Sequence, residues 1–326
     1  MDNSRRGSAP VNDGTGGREK NFVSAVVYVH NAEDRVAEFL KAVGGVLEDN
    51  FEKSEIVCVN DFSDDGSVQK IKDTGREFRS TCVSTLNMSS FHGVELAMTA
   101  GVDLAIGDFV FEFDSTLLDF SSDEIMCVYR KSLEGFDIVS ACPDKARRAS
   151  SSLFYLVFNR FSHLDYKMTT ERFRILSRRV INRVQAMNKA MPYRKPVYAA
   201  CGLKTASLSY RIVRKIRERD DSFTRSYRKS LAVDSLIIFT DLGYRVSMLI
   251  TGAMLVFSIA VGVYSFAFYA LRNPVPGWTS TILFLSVSMF FIFMILTIVI
   301  KYLQILVNLV FKKARYNFES IEKLTK

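Results

Sequence analysis

The sequence is short of the residues that build disulfide frameworks and zinc sites. Its 326 residues include five cysteines, which are odd in number, widely spaced and never arranged as CxxC. The three histidines, His30, His92 and His163, do not cluster either. These absences argue against a disulfide framework and against a structural zinc site, and they favour reduced thiols.

Residues 1–20 are almost free of large apolar side chains and are rich in glycine, serine and charge. Such a segment cannot bury enough surface to offset the entropy lost on ordering, so we expect a disordered N-terminal tail. No short apolar segment follows the first basic residues, and we therefore expect no cleavable signal peptide.

Long uncharged runs are confined to the C-terminal part of the chain. Residues 246–271 and 279–300 contain no charged residue. At about 1.5 Å per helical residue, each is long enough to cross the ~30 Å hydrocarbon core of a bilayer. The intervening RNPVPGW segment breaks a helix, so we predict two transmembrane helices that form a hairpin. A buried core helix is the alternative for one run, but two runs in series favour the hairpin.

Basic residues flank these runs. Residues 211–229 contain eight Lys and Arg, and a second basic cluster lies at 312–315, in a chain of net charge +8. Positive flanks remain on the cytoplasmic side, so we expect a multi-pass inner-membrane protein with both termini in the cytoplasm. We predict basic juxtamembrane amphipathic helices over 211–245 and an interfacial helix over 301–326. The basic charge is thus assigned to the membrane and not to nucleic acid.

Residues 21–210 alternate between strand-like and helix-like segments. Apolar, β-branched runs lie at 22–29, 55–59, 82–86 and 109–113, and segments with helical spacing separate them. This alternation predicts an α/β domain with a mostly parallel, Rossmann-like sheet and helices on both faces. Ligands of such sheets bind beyond the carboxyl ends of the strands, where the polar clusters of this sequence lie.

The sequence resembles the family-two glycosyltransferases with the GT-A fold in three segments, SAVVYVHNAED (24–34), EIVCVNDFSDDGS (55–67) and GDFVFEFDSTL (107–117). In the second segment, Asn60 and Phe62 stand where the family pattern V-D-D-G-S has Asp and Gly. The segment RFRILSRRVI (172–181) resembles the family's D-F-R-L-x-S-R-x-V. With the two C-terminal runs included, the order of motifs is similar to the polyprenyl-phosphate glycosyltransferases, such as bactoprenol glucosyltransferases and dolichol-phosphate mannose synthases.

The resemblance implies an inverting enzyme that moves one sugar from a nucleotide sugar to a polyprenyl phosphate, for cell-envelope glycan synthesis or modification. A UDP-hexose donor, an undecaprenyl phosphate acceptor and a homo-oligomer are expected. A Mg²⁺ or Mn²⁺ cofactor would offset the charge of the leaving diphosphate. The expected nucleotide-binding residues are Val29, Asn31, Glu33, Asn60, Asp61, Asp64, Gly93 and Asp114.

The metal motif departs from the family's D-x-D. It reads Asp114-Ser115-Thr116, so a hydroxyl that adds no charge replaces the second carboxylate. Glu112 lies two residues upstream on the same face of the strand and is a candidate for the missing charge. The alternative is that Glu112 pairs with a nearby arginine and no tight metal site forms. The expected metal ligands are therefore Asp114, Glu112 and Thr116, and the expected catalytic residues are Asp114 and Arg174.

Basic residues are expected to hold the acceptor phosphate. Arg172 replaces the family's Asp in D-F-R-L. A lipid phosphate is largely ionised near neutral pH, so transfer to it does not need a carboxylate base there. The expected acceptor-phosphate residues are Arg147, Arg148, Arg172, Arg174, Ser177, Arg214 and Arg217. For Arg214 and Arg217, attraction of lipid headgroups is an equal alternative.

The sequence also bears on three alternative functions. A processive polysaccharide synthase needs a Q-x-x-R-W motif, which the chain lacks because its single tryptophan, Trp278, follows Gly277. Asp220-Asp221-Ser222-Phe223 stands where the family has a G-x-S-K element, so that its Gly and Lys are absent. This departure and the substitutions at Asn60, Thr116 and Arg172 keep open a membrane scaffold that is non-catalytic or of altered specificity. A transferase with a non-lipid acceptor also stays open.

Overall fold

The computed structural model describes residues 17–144, 171–187, 193–214, 278–311 and 316–325, with scattered helical residues between 230 and 260. The strands are β1 (Val23–Val29), β2 (Ser54–Asn60), β3 (Thr81–Met88), β4 (Phe109–Phe113), β5 (Ile138–Pro143), β6 (Phe173–Ser177), β7 (Thr205–Tyr210) and β8 (Phe318–Lys323). The helices are α1 (Val36–Asn50), α2 (Ser67–Gly75), α3 (Val94–Leu104), α4 (Asp123–Leu133), α5 (Arg178–Ala186), α6 (Arg194–Ala200) and α7 (Trp278–Phe311).

The strands form one sheet in the order β7-β5-β6-β4-β1-β2-β3-β8. β1 is parallel to β2 and β4, and β2 is parallel to β3, so four consecutive strands of the sheet share one direction. β6 runs antiparallel to β4 and β5, and β8 runs antiparallel to β3. The predicted α/β fold with a mostly parallel sheet is confirmed, and each of the four predicted strand segments falls on a strand.

Helices cover both faces of the sheet. Side chains of β1 alternate between them, since Val27 packs in the cluster that contains α1 and α4, whereas Val26 packs in the cluster that contains α3 and α5. Gly101 allows α3 to approach the sheet closely, because a Cβ at this position would lie 2.5 Å from side-chain atoms of Val26 and Val59. This packing fixes the carboxyl ends of β1, β2 and β4 next to one another.

The C-terminal helix α7 contains 34 residues and includes the run predicted to span the membrane over 279–300. Among the residues that the structure describes, no helix is long and apolar enough to cross a membrane. The prediction of a transmembrane hairpin therefore stays a prediction. Residues 1–16 and most of 211–271 lie outside the described ranges, and with them most of the predicted tail, juxtamembrane helices and first span. At the end of the predicted tail, Glu19 forms a β-bridge with Phe51.

The predicted interfacial helix over 301–326 is wrong in its last part. α7 ends at Phe311, and β8 then pairs with the edge of β3. The Lys72 ammonium lies 2.6 Å from the Glu322 carboxylate, and the Asn87 amide donates to the Ser320 hydroxyl at 3.0 Å. β8 forms because the unpaired backbone groups along β3 offer it partners, which a pattern within residues 318–323 does not reveal.

Candidate active site

Asp114 follows β4 directly and stands at the carboxyl edge of the sheet. Its side chain is 22% exposed. Arg174 of β6 donates from Nη2 to Asp114 Oδ2 at 2.9 Å, and Arg194 of α6 donates from Nη2 to Asp114 Oδ1 at 2.6 Å. Each carboxylate oxygen therefore accepts one charge-assisted hydrogen bond, which fixes the orientation of the carboxylate.

Arg194 is the buried centre of a wider network. Its backbone N–H and Nε both donate to Glu95 Oε2, at 2.9 and 3.1 Å, and its Nη1 donates to Glu112 Oε1 at 2.6 Å. The Tyr198 hydroxyl donates to the same Glu112 oxygen at 2.7 Å. One guanidinium thus connects three carboxylates from α3, β4 and the turn after β4.

Arg174 lies on the other side of Glu112 and is only 1% exposed. The two residues are directly opposite each other in the β4–β6 pairing, and Arg174 Nη1 is 3.2 Å from Glu112 Oε2. Arg174 Nε is 3.2 Å from Glu171 Oε2. A cavity of about 20 Å³ lies beside Arg174, with Glu171, Lys195 and Ser140 in its wall.

Acidic side chains outnumber guanidinium groups among the described residues of this network. The carboxylates of Glu95, Glu112, Asp114 and Glu171 are four and the guanidinium groups that pair with them are two, while the charge of Lys195 also acts on Asp114. Buried charges are tolerated only when they are paired, so the network depends on both guanidinium groups.

The same contacts set the protonation of the acids. Burial by itself would raise the pKa of Asp114, but the charges of Arg194, Arg174 and Lys195 outweigh it and hold that pKa well below its usual range. Burial raises the pKa of Glu95 against the attraction of Arg194. Asp114 is therefore ionised at neutral pH and is the acid suited to a positively charged ligand.

Of the three predicted metal ligands, only Asp114 is open to solvent. Glu112 is fully buried with both oxygens against arginines, as the alternative for this residue supposed. Thr116 is 4% exposed, and its hydroxyl accepts from Arg35 Nε at 3.1 Å. Among the described residues, no group of three or more His, Cys, Asp or Glu side chains can hold a metal ion. A divalent cation at Asp114 would therefore need oxygens of a bound ligand to complete its coordination, which is an arrangement that Mg²⁺ often adopts.

Asp61 organises the neighbouring part of the edge and is completely buried. Its Oδ2 accepts from the Tyr28 hydroxyl at 2.9 Å and from the Gly93 N–H at 2.8 Å, and its Oδ1 accepts from the His92 N–H at 2.8 Å. Gly93 has φ +79°, which suits glycine. Asp61 therefore ties β1 and the loop before α3 to the end of β2, and its carboxylate faces the protein and not a ligand.

The other predicted nucleotide-binding residues gather around this anchor. The Asn60 amide donates to Asn87 Oδ1 at 3.0 Å, and Asn31 Oδ1 accepts from the Asp64 N–H at 3.0 Å. Glu33 Oε2 accepts from the Gly66 N–H at 3.0 Å. Val29 is buried and pairs with Asn60 across β1 and β2. The structure thus brings these predicted nucleotide-binding residues to the carboxyl edge of the sheet. The side chains of Asn60 and Asp61, however, bond to other groups of the protein.

The predicted acceptor residues are less well gathered. Arg172 donates from Nε to both Asp119 oxygens, at 3.1 and 2.9 Å, and the Tyr210 hydroxyl donates to Asp119 Oδ1 at 2.9 Å. Arg174 is buried beside Asp114 and donates to its carboxylate. Arg214 is largely exposed and pairs with Glu38 at 3.3 Å. Arg147, Arg148 and Arg217 lie outside the described residues.

Ser177 is not brought to the site. It pairs with Phe109 at the start of β4, which is the opposite end of the sheet from Asp114, and its hydroxyl donates to Asp137 Oδ1 at 3.0 Å. Because β6 runs antiparallel to β4, Arg174 pairs near the end of β4 and Ser177 pairs at its start, a direction that the motif alone does not reveal.

The residues that sequence reasoning missed are Glu95, Glu171, Arg194 and Tyr198. Arg194 lies in the segment PYRKP, which matched no motif. Only the pairing of an unexplained buried glutamate on β4 with an unassigned arginine elsewhere could have indicated it.

Comparison with known proteins identifies the class. Residues 24–183 match the model of the Glycosyl transferase family 2. Residues 24–183 are thus similar to a family 2 glycosyltransferase domain, and the chain is a glycosyltransferase by class.

Individual relatives indicate which type of glycosyltransferase this chain resembles. A bactoprenol glucosyl transferase of Shigella phage SfV is 27% identical over 81% of this chain and 88% of its own length. An uncharacterized glycosyltransferase of Synechocystis sp. is 28% identical over 56% of this chain, and the match spans 58% of that relative. The resemblance to polyprenyl-phosphate glycosyltransferases that the motifs indicated is confirmed. A crystal structure of Mycobacterium tuberculosis glucosyl-3-phosphoglycerate synthase superposes with TM-score 0.46 at 12% identity, over 67% of this chain and 80% of that one.

Proposed function

We propose that this protein is a membrane-attached inverting glycosyltransferase that moves a single sugar from a nucleotide sugar, a UDP-hexose, to a polyprenyl phosphate. The observation that carries the proposal is the extent of the match to the bactoprenol glucosyl transferase. It covers 275 residues and so extends well beyond the domain at 24–183. The shared region includes both a glycosyltransferase domain and part of the apolar C-terminal region.

The described surface of α7 supports attachment to a bilayer. Its exposed apolar side chains are Leu285, Met289, Phe290, Ile292, Phe293, Leu296, Val299, Ile300, Leu303 and Leu306. An apolar surface of this extent is unfavourable in water and suits a lipid or protein environment. With the basic flanks of the sequence, it supports an inner-membrane location with the catalytic domain in the cytoplasm.

The edge that carries Asp61 and Asp114 is proposed to bind the donor. A Mg²⁺ or Mn²⁺ ion between Asp114 and the donor would supply positive charge against the leaving diphosphate. Arg174 and Arg194 keep Asp114 ionised and oriented for that role, and Asp61 fixes the loops beside it.

The acceptor phosphate is proposed to attack without a carboxylate base. A phosphate oxygen forms a bond to the anomeric carbon while the bond from that carbon to the diphosphate oxygen breaks, with inversion. The attacking oxygen is already ionised, so no proton has to be removed. The Arg172–Asp119 ion pair stands where the family motif has a base, and this reaction does not need one.

The test is incubation of the purified full chain with undecaprenyl phosphate and a panel of radiolabelled nucleotide sugars. We expect one labelled sugar in the lipid product, and Asp114→Asn should reduce the rate by about 100-fold or more. Glu134→Gln, an exposed residue at the end of α4, is the matched control and should retain the wild-type rate.

If no sugar is transferred to the lipid phosphate, the other results distinguish the two alternative functions. Transfer to a hydroxyl acceptor alone would support a non-lipid acceptor. Absence of nucleotide binding, donor hydrolysis and transfer would support the scaffold.

A further inference from the structure

Backbone strain is concentrated at two residues of the donor edge. Among the described residues other than glycine, positive φ occurs at Asn31 (+46°) and Phe62 (+55°). Asn tolerates the left-handed conformation, whereas a phenylalanine adopts it rarely. Residue 62 is also the position where the family pattern has glycine. The chain therefore holds a bulky aromatic residue in a conformation that suits a smaller one.

The surrounding loops impose this conformation. The Asp61 N–H donates to the Val29 carbonyl at 2.9 Å, and the Ser63 hydroxyl accepts from the Asn31 N–H at 3.1 Å. The backbone is thus fixed on both sides of Phe62. A residue held against its own preference in this way is strained, and such strain tends to occur at functional sites.

The ring of Phe62 faces solvent, with the residue 57% exposed. The polar side chains before it face inward, since Asp61 accepts from three protein donors and Asn60 bonds to Asn87. The side chains of Asn60 and Asp61, which the motif predicts to bind the nucleotide, are therefore occupied by contacts within the protein. The loop instead exposes an aromatic surface next to the proposed donor site.

We propose that Phe62 is the stacking surface for the nucleobase of the sugar-nucleotide donor. The inference rests on the proposed function, because it supposes a nucleotide at this edge. Every nucleobase has a flat π face, so stacking adds affinity for the nucleoside without selecting one base. Phe62 consequently contributes to binding of nucleoside diphosphates and not to binding of bare pyrophosphate.

The experiment measures binding to the full chain by calorimetry with Mn²⁺ present. The probes are UDP, GDP, ADP and pyrophosphate, and the variants are Phe62→Gly, Phe62→Leu and Phe62→Tyr. Phe62→Gly should weaken the best-bound nucleoside diphosphate by about 5- to 100-fold and leave pyrophosphate affinity unchanged. Phe62→Tyr should bind nearly as the wild type, and Phe62→Leu should fall between the two.

Thermal unfolding supplies a second measurement. Because glycine accepts positive φ, Phe62→Gly should raise the midpoint by about 2–4 °C while it weakens nucleotide binding. Equal nucleoside diphosphate affinity in Phe62→Gly and the wild type would overturn this inference and leave the proposed function standing. A wild-type chain that binds none of the three nucleoside diphosphates would overturn both.

Discussion

Asp61 and Asp114 occupy equivalent places in the fold but differ in their surroundings. Each follows a parallel strand at the carboxyl edge of the sheet. Asp61 is fully buried and accepts from a hydroxyl and two backbone N–H groups, whereas Asp114 is partly open and accepts from two guanidinium groups. The first arrangement fixes loops, and the second keeps an ionised carboxylate at the surface of a site. Equivalent positions in the fold therefore do not imply the same role.

The largest effect is expected when the buried guanidinium of Arg194 beside Asp114 is removed. Arg194→Met leaves Glu95, Glu112 and Asp114 without a shared counter-charge, and it should cost about 3–5 kcal/mol of unfolding free energy. Urea denaturation measures the loss. The control is Arg179→Met, whose side chain is 65% exposed in its pair with Asp137 and which should cost about 1 kcal/mol or less. Equal losses in the two variants would contradict the role assigned to Arg194.

The Asp61 side is tested by Asp61→Ala. Tyr28 and the N–H groups of His92 and Gly93 lose their acceptor, so we expect a loss of about 2–3 kcal/mol and faster amide exchange at those N–H groups. Denaturation and hydrogen exchange check this. Asp64→Ala, at an exposed aspartate three residues further on, should stay within about 0.5 kcal/mol of the wild type. If Asp61→Ala is as mild as Asp64→Ala, Asp61 is not a loop anchor.

A smaller effect is expected from Arg172→Met. This substitution breaks a part-buried ion pair with Asp119 and should cost about 1–2 kcal/mol. If Arg172 serves the fold and not the acceptor, the KM for lipid phosphate should change by less than about threefold. A tenfold or larger rise in that KM, with kcat unchanged, would return Arg172 to the acceptor-phosphate residues.

The smallest expected signal is a thiol reaction rate. Cys58 lies in β2 shortly before Asp61, and burial raises the pKa of its thiol to about 12. Iodoacetamide at pH 8 should therefore modify the exposed Cys127 and spare Cys58, as peptide mass spectrometry would show. In Asp61→Ala, Cys58 should react faster because the end of β2 opens more often. Labelling of Cys58 in the wild type at the rate of Cys127 would contradict this burial.

Much of the fold was predictable because its signals are local. Each of β1 to β4 contains an apolar run, and each helix between them shows its own periodicity, so neighbouring residues suffice to identify them. β8 was missed for the opposite reason. Phe318 and Ile321 are both about half exposed, and the strand exists because β3 has a free edge. No pattern within the last residues describes an edge that lies more than 200 residues earlier in the chain.

The sequence predicted the residues of the site that follow a strand directly, but it did not predict which side chains those residues pair with. Asp114 was found because a carboxylate after an apolar strand is visible in sequence. The roles of Glu112 and Asp61 depend on which donors reach them, and those donors come from residues 28, 92–93, 174, 194 and 198. Tertiary packing selects these partners, so the position of each acid can be predicted from sequence but its role cannot.

The placement of β8 has a consequence for biosynthesis. Strands β1 to β7 are complete by residue 210, but β3 receives its outer neighbour only after residue 323 has left the ribosome. During all the intervening synthesis, one margin of the nascent domain retains unpaired backbone groups that invite association with other chains. Translation through the apolar segment is therefore an interval in which this edge of β3 can associate with other chains, and pairing with β8 ends it.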